Sequence, residues 1–366
     1  MTASLRSILL TPNILGKDGV SALSREVSRA LPSPSLVLSL HDSTPAGDSS
    51  GDLEVRGARG SRVRFLAEVA RAMPRVSPDT VVVCSHLHLA PAARALAWRG
   101  QRATIILCGI EAWVSVRPAE RWAIDDSEVV AISKHTADRF KAANPALAST
   151  GVIVCHPGLP AKSSSRVAPT AFEFSTWPTA LIVARMSAAE RYKGHDALLD
   201  VWPRLSSRHP NAVLAIAGDG DDRPRLEARV AALGITHAVR FLGRVDDDRL
   251  EELYRACRLF VMPSRDEGFG LVFLEAMRAG KPCIGGRGAA SEIIEHGVTG
   301  LIVDPDSRQE LMAALERLYS EPDTCEQFGA AGRERFQSTF TDDCFQMRFR
   351  KALGRRTLAA LAASMP

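Results

Sequence analysis

The chain predicts an α/β protein made of two doubly wound, Rossmann-like parallel sheets. Three observations carry this. Short β-branched runs alternate with helical stretches from one end to the other. The runs are continuously apolar rather than alternating, as expected of strands covered on both faces. They also fall into two series, separated by the Ser/Pro-rich stretch Ser163–Pro178, and 366 residues suffice for two domains of ordinary size.

In chain order, the first series predicts strands at Ile8–Leu10, Leu36–Leu40, Val81–Cys84, Thr104–Cys108, Val129–Ile132 and Val152–Cys155. Between the second and third of these, Asp42–Gly60 is polar and Gly/Ser-rich, and is expected to be a mobile loop. The second series predicts strands at Ala180–Ala184, Val213–Ala217, Val239–Leu242, Leu259–Met262, Pro282–Ile284 and Leu301–Val303. This places an N-terminal domain at 1–165, a linker at 166–178 and a C-terminal domain at 179–340. A C-terminal helix over 341–366 is expected to cross back to the N-terminal domain. Ligands of doubly wound sheets lie beyond the carboxyl ends of the strands, so a cleft faced by both domains is the expected site.

Composition is that of a globular protein, 46% hydrophobic and 24% charged. No stretch approaches the roughly 18 consecutive apolar residues of a membrane span. The N-terminus lacks a basic start followed by a long apolar run, so no signal peptide is expected. Seven cysteines without CxxC pairs, several in apolar strands (Cys84, Cys108, Cys155), predict reduced thiols and a cytoplasmic location. Residues 1–165 hold 19 Lys/Arg against 14 Asp/Glu, whereas the whole chain is only +4. Arg56, Arg59, Arg62 and Arg64 cluster, followed by Arg71 and Arg75. This is either a solvated helix face or a surface for peripheral contact with anionic lipid at the inner face of the cell membrane. Nucleic acid is not an expected partner, because no aromatic–basic interleaving occurs.

The chemistry concentrates at strand ends of the second half. After Leu259–Met262 the chain reads Arg265-Asp266-Glu267-Gly268-Phe269-Gly270-Leu271-Val272-Phe273-Leu274-Glu275, a glycine turn opening an apolar helix. Such a turn aims backbone N–H groups and a helix N-terminus at an anion. Glu275, one turn in, can accept from vicinal hydroxyls such as those of a ribose. Amides for phosphate and carboxylates for hydroxyls suggest a nucleotide-sugar pocket. Arg185 and Lys193 follow Ala180–Ala184 and can converge on a diphosphate leaving group. Lys193-Gly194-His195 then opens a helix whose dipole has the right sign. Gly218-Asp219-Gly220 allows close backbone approach. Arg240 to Val245 is read as a third strand end, able to face a base edge. Asp219–Asp222 and Asp246–Asp248 invite a metal reading, but they precede Arg223-Pro224 and Arg249-Leu250 and are expected to cap helices instead. No metal site is expected. His86 and His88, after the third strand, are candidates for acceptor contact, with a core or surface role as the plain alternative.

The run from Val183 to Pro305 resembles the donor domain of GT-B retaining glycosyltransferases of family 4. Glu267 and Glu275 match that family's EX7E motif, and Arg185 and Lys193 its paired cations. Gly218-Asp219-Gly220, Phe241-Leu242-Gly243 and Gly300-Leu301-Ile302-Val303-Asp304-Pro305 fall in the family's order. The resemblance implies a GT-B fold and the retaining transfer of a hexose from a nucleotide-diphosphate sugar, GDP-mannose or a UDP-sugar. The acceptor would be a hydroxyl on a glycan or glycolipid, such as a lipid-linked polysaccharide precursor. The nucleotide sugar is a co-substrate, and no cofactor is implied. Catalysis falls to Glu267, Arg185 and Lys193. Donor binding falls to these and to Gly19, Arg240, Val245, Gly268, Phe269, Gly270, Leu271 and Glu275. Gly19 stands where the family has a Gly-Gly loop after its first strand. Cys108-Gly109-Ile110-Glu111-Ala112-Trp113 resembles a family segment that begins with histidine, which places Cys108 and Glu111 beside His86 and His88 at the acceptor. A thiol is the poorer hydrogen-bond partner. Two alternatives stay open: a nucleotide-sugar-binding protein with impaired catalysis, motivated by Cys108, and a sugar-nucleotide epimerase, which also has two doubly wound domains but against which the EX7E motif argues.

Overall fold

The computed structural model describes residues 5–44, 53–161 and 179–353. The chain forms two compact units, one drawn from Met1–Gly158 and Asp342–Pro366, the other from Leu159–Thr341. The linker expected at 166–178 lies outside the described residues, as do 354–366 of the expected C-terminal helix.

The first unit runs β1 (Ser7–Thr11), α1 (Gly19–Ala30), β2 (Ser35–Ser39), β3 (Leu53–Gly57), α2 (Arg62–Ala72), β4 (Val81–Cys84), α3 (Ala90–Leu96), β5 (Ala103–Leu107), α4 (Pro118–Asp125), β6 (Ser127–Ala131), α5 (Lys134–Ala143) and β7 (Val152–Val154). Its seven strands are ordered β3-β2-β1-β4-β5-β6-β7 and every pairing is parallel. The central strands β1, β2, β4 and β5 are buried throughout, which is why they read as unbroken apolar runs.

β3 corrects the expected loop at Asp42–Gly60. Leu53–Gly57 pairs along its whole length with β2. As an edge strand it is only partly buried, so its polar positions are solvated rather than apolar. Glu54 and Arg56 alternate with Leu53 and Val55, and Glu54 holds both Arg56 and Arg75. Arg56 also reaches Glu68 at 3.1 Å, and Arg71 pairs with the same carboxylate. The remainder of that loop, 45–52, lies outside the described residues.

The second unit runs β8 (Thr179–Val183), α6 (His195–Arg208), β9 (Val213–Ala217), α7 (Arg223–Ala232), β10 (Val239–Gly243), α8 (Asp247–Ala256), β11 (Leu259–Met262), α9 (Leu271–Arg278), β12 (Cys283–Gly286), α10 (Ala290–Ile293), β13 (Gly300–Val303), α11 (Arg308–Ser320) and α12 (Pro322–Thr339). Its six parallel strands are ordered β10-β9-β8-β11-β12-β13. The order reverses between β8 and β11, the place where such sheets bind ligands at their carboxyl ends. Helix α13 (Asp342–Ala352) belongs to the first unit. It packs on α1, with Arg350 Nε 3.2 Å from the Ala30 carbonyl and Arg348 3.1 Å from that of His156. No described helix is long and apolar enough to cross a membrane.

One helix start carries a titration signature. His195, the first residue of α6, is 3% exposed. Burial lowers its pKa from 6.5 to about 4, against the opposing pull of Asp196 and Asp222. The unfolded chain therefore binds a proton that the folded chain refuses between about pH 6.5 and pH 4. Stability is full above this window and falls as pH drops through it, by up to about 3 kcal/mol. Urea unfolding across pH 4.5–7 should show this slope, and His195→Gln should flatten it. Equal slopes in the two proteins would remove His195 as the cause.

Candidate functional site

In the second unit Arg185 and Lys193 follow the carboxyl end of β8, and Glu267 that of β11. Arg185 lies two residues beyond β8, with its side chain 76% exposed, and pairs with Glu190 of the following 3-10 turn, Ala188–Lys193. The β8–β9 ladder continues past the strands, through Ala184 N to Ala217 O at 3.1 Å and Met186 N to Asp219 O at 3.1 Å. Gly218 makes this possible. Its φ is +134°, and a Cβ there would sit 2.0 Å from the Ala184 carbonyl oxygen. The close approach expected of Gly218-Asp219-Gly220 is thus made to the Arg185 loop.

The acidic cluster after β9 works differently from its expected capping role. Asp222 makes no side-chain cap to α7. It takes Arg191 at 2.8 Å and Arg225 at 2.6 Å, and these cations lower its pKa to about 2, the Arg225 hydrogen bond most of all. Arg225 bridges on to Asp196 of α6 at 2.7 Å. Asp221 accepts from Ala188 N at 3.0 Å. The two aspartates therefore clamp the cation-bearing turn to α6 and α7. Asp246 does cap α8, accepting from Arg249 N at 2.8 Å. Among the described residues no group of three His, Cys, Asp or Glu could hold a metal ion.

Lys193 ends the 3-10 turn, and Gly194, in the left-handed region at φ +93°, starts α6 without a side-chain cap. The Lys193 ammonium donates to Glu267 Oε2 at 2.6 Å, across 74 residues of sequence. Both side chains are mostly buried, at 16% and 19% exposed. Arg265 N donates to Tyr192 O at 3.0 Å, tying the two loops together through their backbones.

The turn after Glu267 requires its glycine. Gly270 has φ +103°, and a Cβ would lie 2.7 Å from the Phe273 ring. Helix α9 starts at Leu271 with no side-chain cap, so the first amides of the helix point out of its N-terminus. The Phe269 ring is core, 2% exposed and 6.1 Å from Phe340, so its side chain does not face a ligand. Glu275 sits one turn into α9, and its Oε2 accepts from Tyr254 Oη of α8 at 2.7 Å. Burial raises the pKa of this carboxyl above its ordinary value.

Arg240 is a correction. It is the second residue of β10, at the amino end, and its guanidinium donates to the carbonyls of Thr236 at 2.9 Å and Val239 at 3.0 Å. The strand rise puts it about 10 Å from the carboxyl end at Gly243. Val245 does follow that carboxyl end and is partly buried. Two residues that sequence reasoning did not select stand beside the predicted ones, Glu190 on Arg185 and Tyr254 on Glu275. Neither falls in a spacing pattern that marks it.

In the first unit, Gly19 opens α1. The following amides of Val20 and Ser21 are already taken by the Asp18 carboxylate, each at 3.0 Å. Cys108 follows β5, and its thiol donates to the Ser85 carbonyl at 3.0 Å. Burial pushes that thiol well above its ordinary pKa, so it is a protonated donor rather than a nucleophile. Glu111 accepts from Cys108 N at 2.6 Å and so holds the turn. His86 Nδ1 accepts from His88 N at 3.3 Å, and burial lowers the His86 pKa, keeping its ring neutral. His88 is 44% exposed and lies 2.8 Å from Glu120. Cys108, Glu111, His86 and His88 share the carboxyl ends of β4 and β5.

Residues 170–335 match the family model for glycosyl transferases group 1. A GDP-mannose-dependent alpha-(1-6)-phosphatidylinositol monomannoside mannosyltransferase of Mycobacterium tuberculosis is 35% identical over 165 residues, 43% of this chain and 42% of that protein. A D-inositol 3-phosphate glycosyltransferase of Corynebacterium urealyticum is 34% identical over 153 residues, 40% of this chain and 36% of that protein. The chain thus spans well under half the length of the curated relatives it matches. Among solved structures, Anabaena HepE in complex with UDP and glucose superposes with a TM-score of 0.75 at 19% identity, covering 95% of this chain and 99% of that one. Sucrose-phosphate synthase of Thermosynechococcus elongatus superposes with a TM-score of 0.71 at 19% identity, covering 98% of this chain and 100% of that one. The fold is GT-B.

The Lys193–Glu267 pair can be tested without any ligand. Lys193→Met and Glu267→Gln should each cost about 1–2 kcal/mol, because each leaves a mostly buried charge without its partner. The double variant should cost less than the two summed, with a coupling of about 1 kcal/mol in urea unfolding. Strict additivity would mean that the pair does not persist in solution.

Proposed function

We propose that this chain, whose residues 170–335 belong to glycosyl transferases group 1, moves a hexose from a nucleoside-diphosphate sugar to a hydroxyl acceptor with retention at the anomeric carbon. The observation that carries the reading is the meeting of Lys193 and Glu267 at 2.6 Å beside the uncapped N-terminus of α9. A cation, helix amides and a carboxylate at one strand junction suit a diphosphate joined to a sugar. In this reading Arg185 and Lys193 take the charge of the leaving diphosphate, exchanging Glu190 and Glu267 for phosphate oxygens. Glu267, released from Lys193, orients the sugar. Glu275 accepts from the ribose hydroxyls. The departing phosphate takes the acceptor's proton on the same face, so the protein's part is positioning and charge stabilisation. Because side chains and helix amides neutralise the leaving group, turnover should persist in EDTA.

The names of the relatives bear on donor and acceptor. One is named for GDP-mannose and a phosphatidylinositol mannoside, another is a mannosylfructose-phosphate synthase, and HepE was solved with UDP. GDP-mannose is therefore the first donor to try, with UDP-sugars next. A lipid-linked acceptor fits the basic surface of the first unit. Arg59, Arg62 and Arg64 are exposed there, beside Val63 at 79% and Leu66 at 58%. Arg56 leaves the set proposed for lipid, because Glu54 and Glu68 already neutralise it. Cys108 is the feature behind the impaired-binder alternative, but its thiol serves the Ser85 carbonyl in the first unit.

Two experiments follow. Nucleoside-diphosphate release from GDP-mannose and UDP-sugars, with nucleotide affinity measured by calorimetry, tests the reaction. Glu267→Gln should lower kcat by roughly 10²-fold with near-normal nucleotide affinity, whereas Glu275→Gln should mainly raise the donor KM. Binding without turnover by the wild-type protein would favour the impaired-binder reading. Turnover without nucleotide release would favour the epimerase. Separately, co-sedimentation should be stronger with anionic than with neutral liposomes, and should weaken in salt and in an Arg59→Gln, Arg62→Gln, Arg64→Gln variant. Indifference to lipid charge would rule out the lipid contact.

A further inference from the structure

We propose that Tyr254 positions Glu275, holding one carboxylate oxygen so that the other is presented to the ribose hydroxyls of the donor. This rests on the nucleotide-sugar reading above. Tyr254 comes from α8, a different helix from the one that carries Glu275, and is 1% exposed. Its ring is fixed by packing. It stacks at a tilt on Phe260 of β11 at 5.8 Å, and Phe260 meets Phe273 of α9 edge-on at 5.3 Å. The buried phenol so fixed donates to Glu275 Oε2 at 2.7 Å.

The direction of that bond matters. Burial, with the nearby Glu275 charge, raises the Tyr254 pKa well above its ordinary value, so the phenol keeps its proton and donates. The Tyr254 hydrogen bond is the first support of the Glu275 carboxylate, and the Arg278 charge the second. Arg278 is drawn to Glu251 at 3.1 Å and to the Pro160 carbonyl at 3.2 Å. Glu251 and Asp247 act against the carboxylate's ionisation. One phenol proton occupies one lone pair of Oε2. The remaining lone pairs can take two hydrogen bonds from a vicinal diol. Without the phenol, a half-buried carboxylate would lose its donor, turn about its side-chain torsions, and tend to protonate.

The test uses Tyr254→Phe, which removes one oxygen and keeps the ring that packs on Phe260. Affinity is measured by calorimetry for GDP, UDP and their 2′,3′-dideoxy counterparts, against wild type and Glu275→Gln. For whichever of GDP and UDP the wild-type protein binds, it should prefer the ribose form. Tyr254→Phe should weaken binding of the ribose form by roughly tenfold, the scale of one hydrogen bond to a charged group, and that of the dideoxy form by less than about twofold. In the Glu275→Gln background, Tyr254→Phe should change the ribose-to-dideoxy ratio no further. Equal losses for both forms would make Tyr254 merely structural and overturn the proposal. So would an unchanged ribose affinity, or a wild-type protein that binds nucleotide with no ribose preference; in those cases the nucleotide reading stands. A wild-type protein that binds neither GDP nor UDP overturns both.

Discussion

The candidate donor site depends on one pairing, that of β8 with β11 at the middle of the second sheet. These strands are remote in sequence, and they lie side by side because the strand order reverses between them. The segments leaving their carboxyl ends therefore start from adjacent points. Lys193 from one and Glu267 from the other then need only short turns to reach 2.6 Å. The ion pair is thus a consequence of topology rather than of local sequence. The turns are held first by backbone, through Arg265 N to Tyr192 O and the extended β8–β9 ladder. The charges of Asp222, Arg225 and Asp196 add a second layer behind them.

Such layering suits a site that must exchange partners. A cation that will receive phosphate cannot also be the strut that holds its own loop. Here the struts are Asp221 on Ala188 N and Asp222 on Arg191 and Arg225. Arg185 pairs with Glu190 and Lys193 with Glu267, and the Lys193 ammonium also lies 5.3 Å from the centre of the Tyr192 ring. Exposure differs between these two cations. Arg185 is 76% exposed and its pair is screened by water, whereas Lys193 is 16% exposed and its pair is not. If the two cations exchange partners for phosphate as proposed, Arg185 does so at the lower cost and the more buried Lys193–Glu267 pair at the higher.

Much of the fold was legible because buried parallel strands leave unbroken apolar runs, as β1, β4, β9 and β11 do. β3 was not, because an edge strand with Glu54 and Arg56 on its solvated positions reads as a polar loop. The local geometry of the candidate site was legible where backbone conformation demands a residue type, as at Gly270, or where charge stands at a strand end, as at Arg185 and Lys193. It failed at Arg240, since a motif of six residues spans the strand from one end to the other and only its later part reaches the ligand side. Glu190 and Tyr254 escaped for a further reason. Their significance lies in a contact, and a contact across helices has no period in the sequence.

The two glutamates of the motif show how environment separates identical side chains. Glu267 faces the Lys193 ammonium, a charge that in the proposed reading also attracts the diphosphate. In that reading phosphate draws Lys193 away and leaves the Glu267 carboxylate beside the sugar, where it would stabilise a developing positive charge. Glu275 faces a neutral phenol and is desolvated, so its ionised form is held only weakly. It suits hydrogen bonding to hydroxyls that do not change during the reaction. An eight-residue spacing on one turn and helix cannot by itself assign these roles. What distinguishes the two carboxylates is their partners, and both partners arrive from elsewhere in the chain, Lys193 ahead of α6 and Tyr254 on α8.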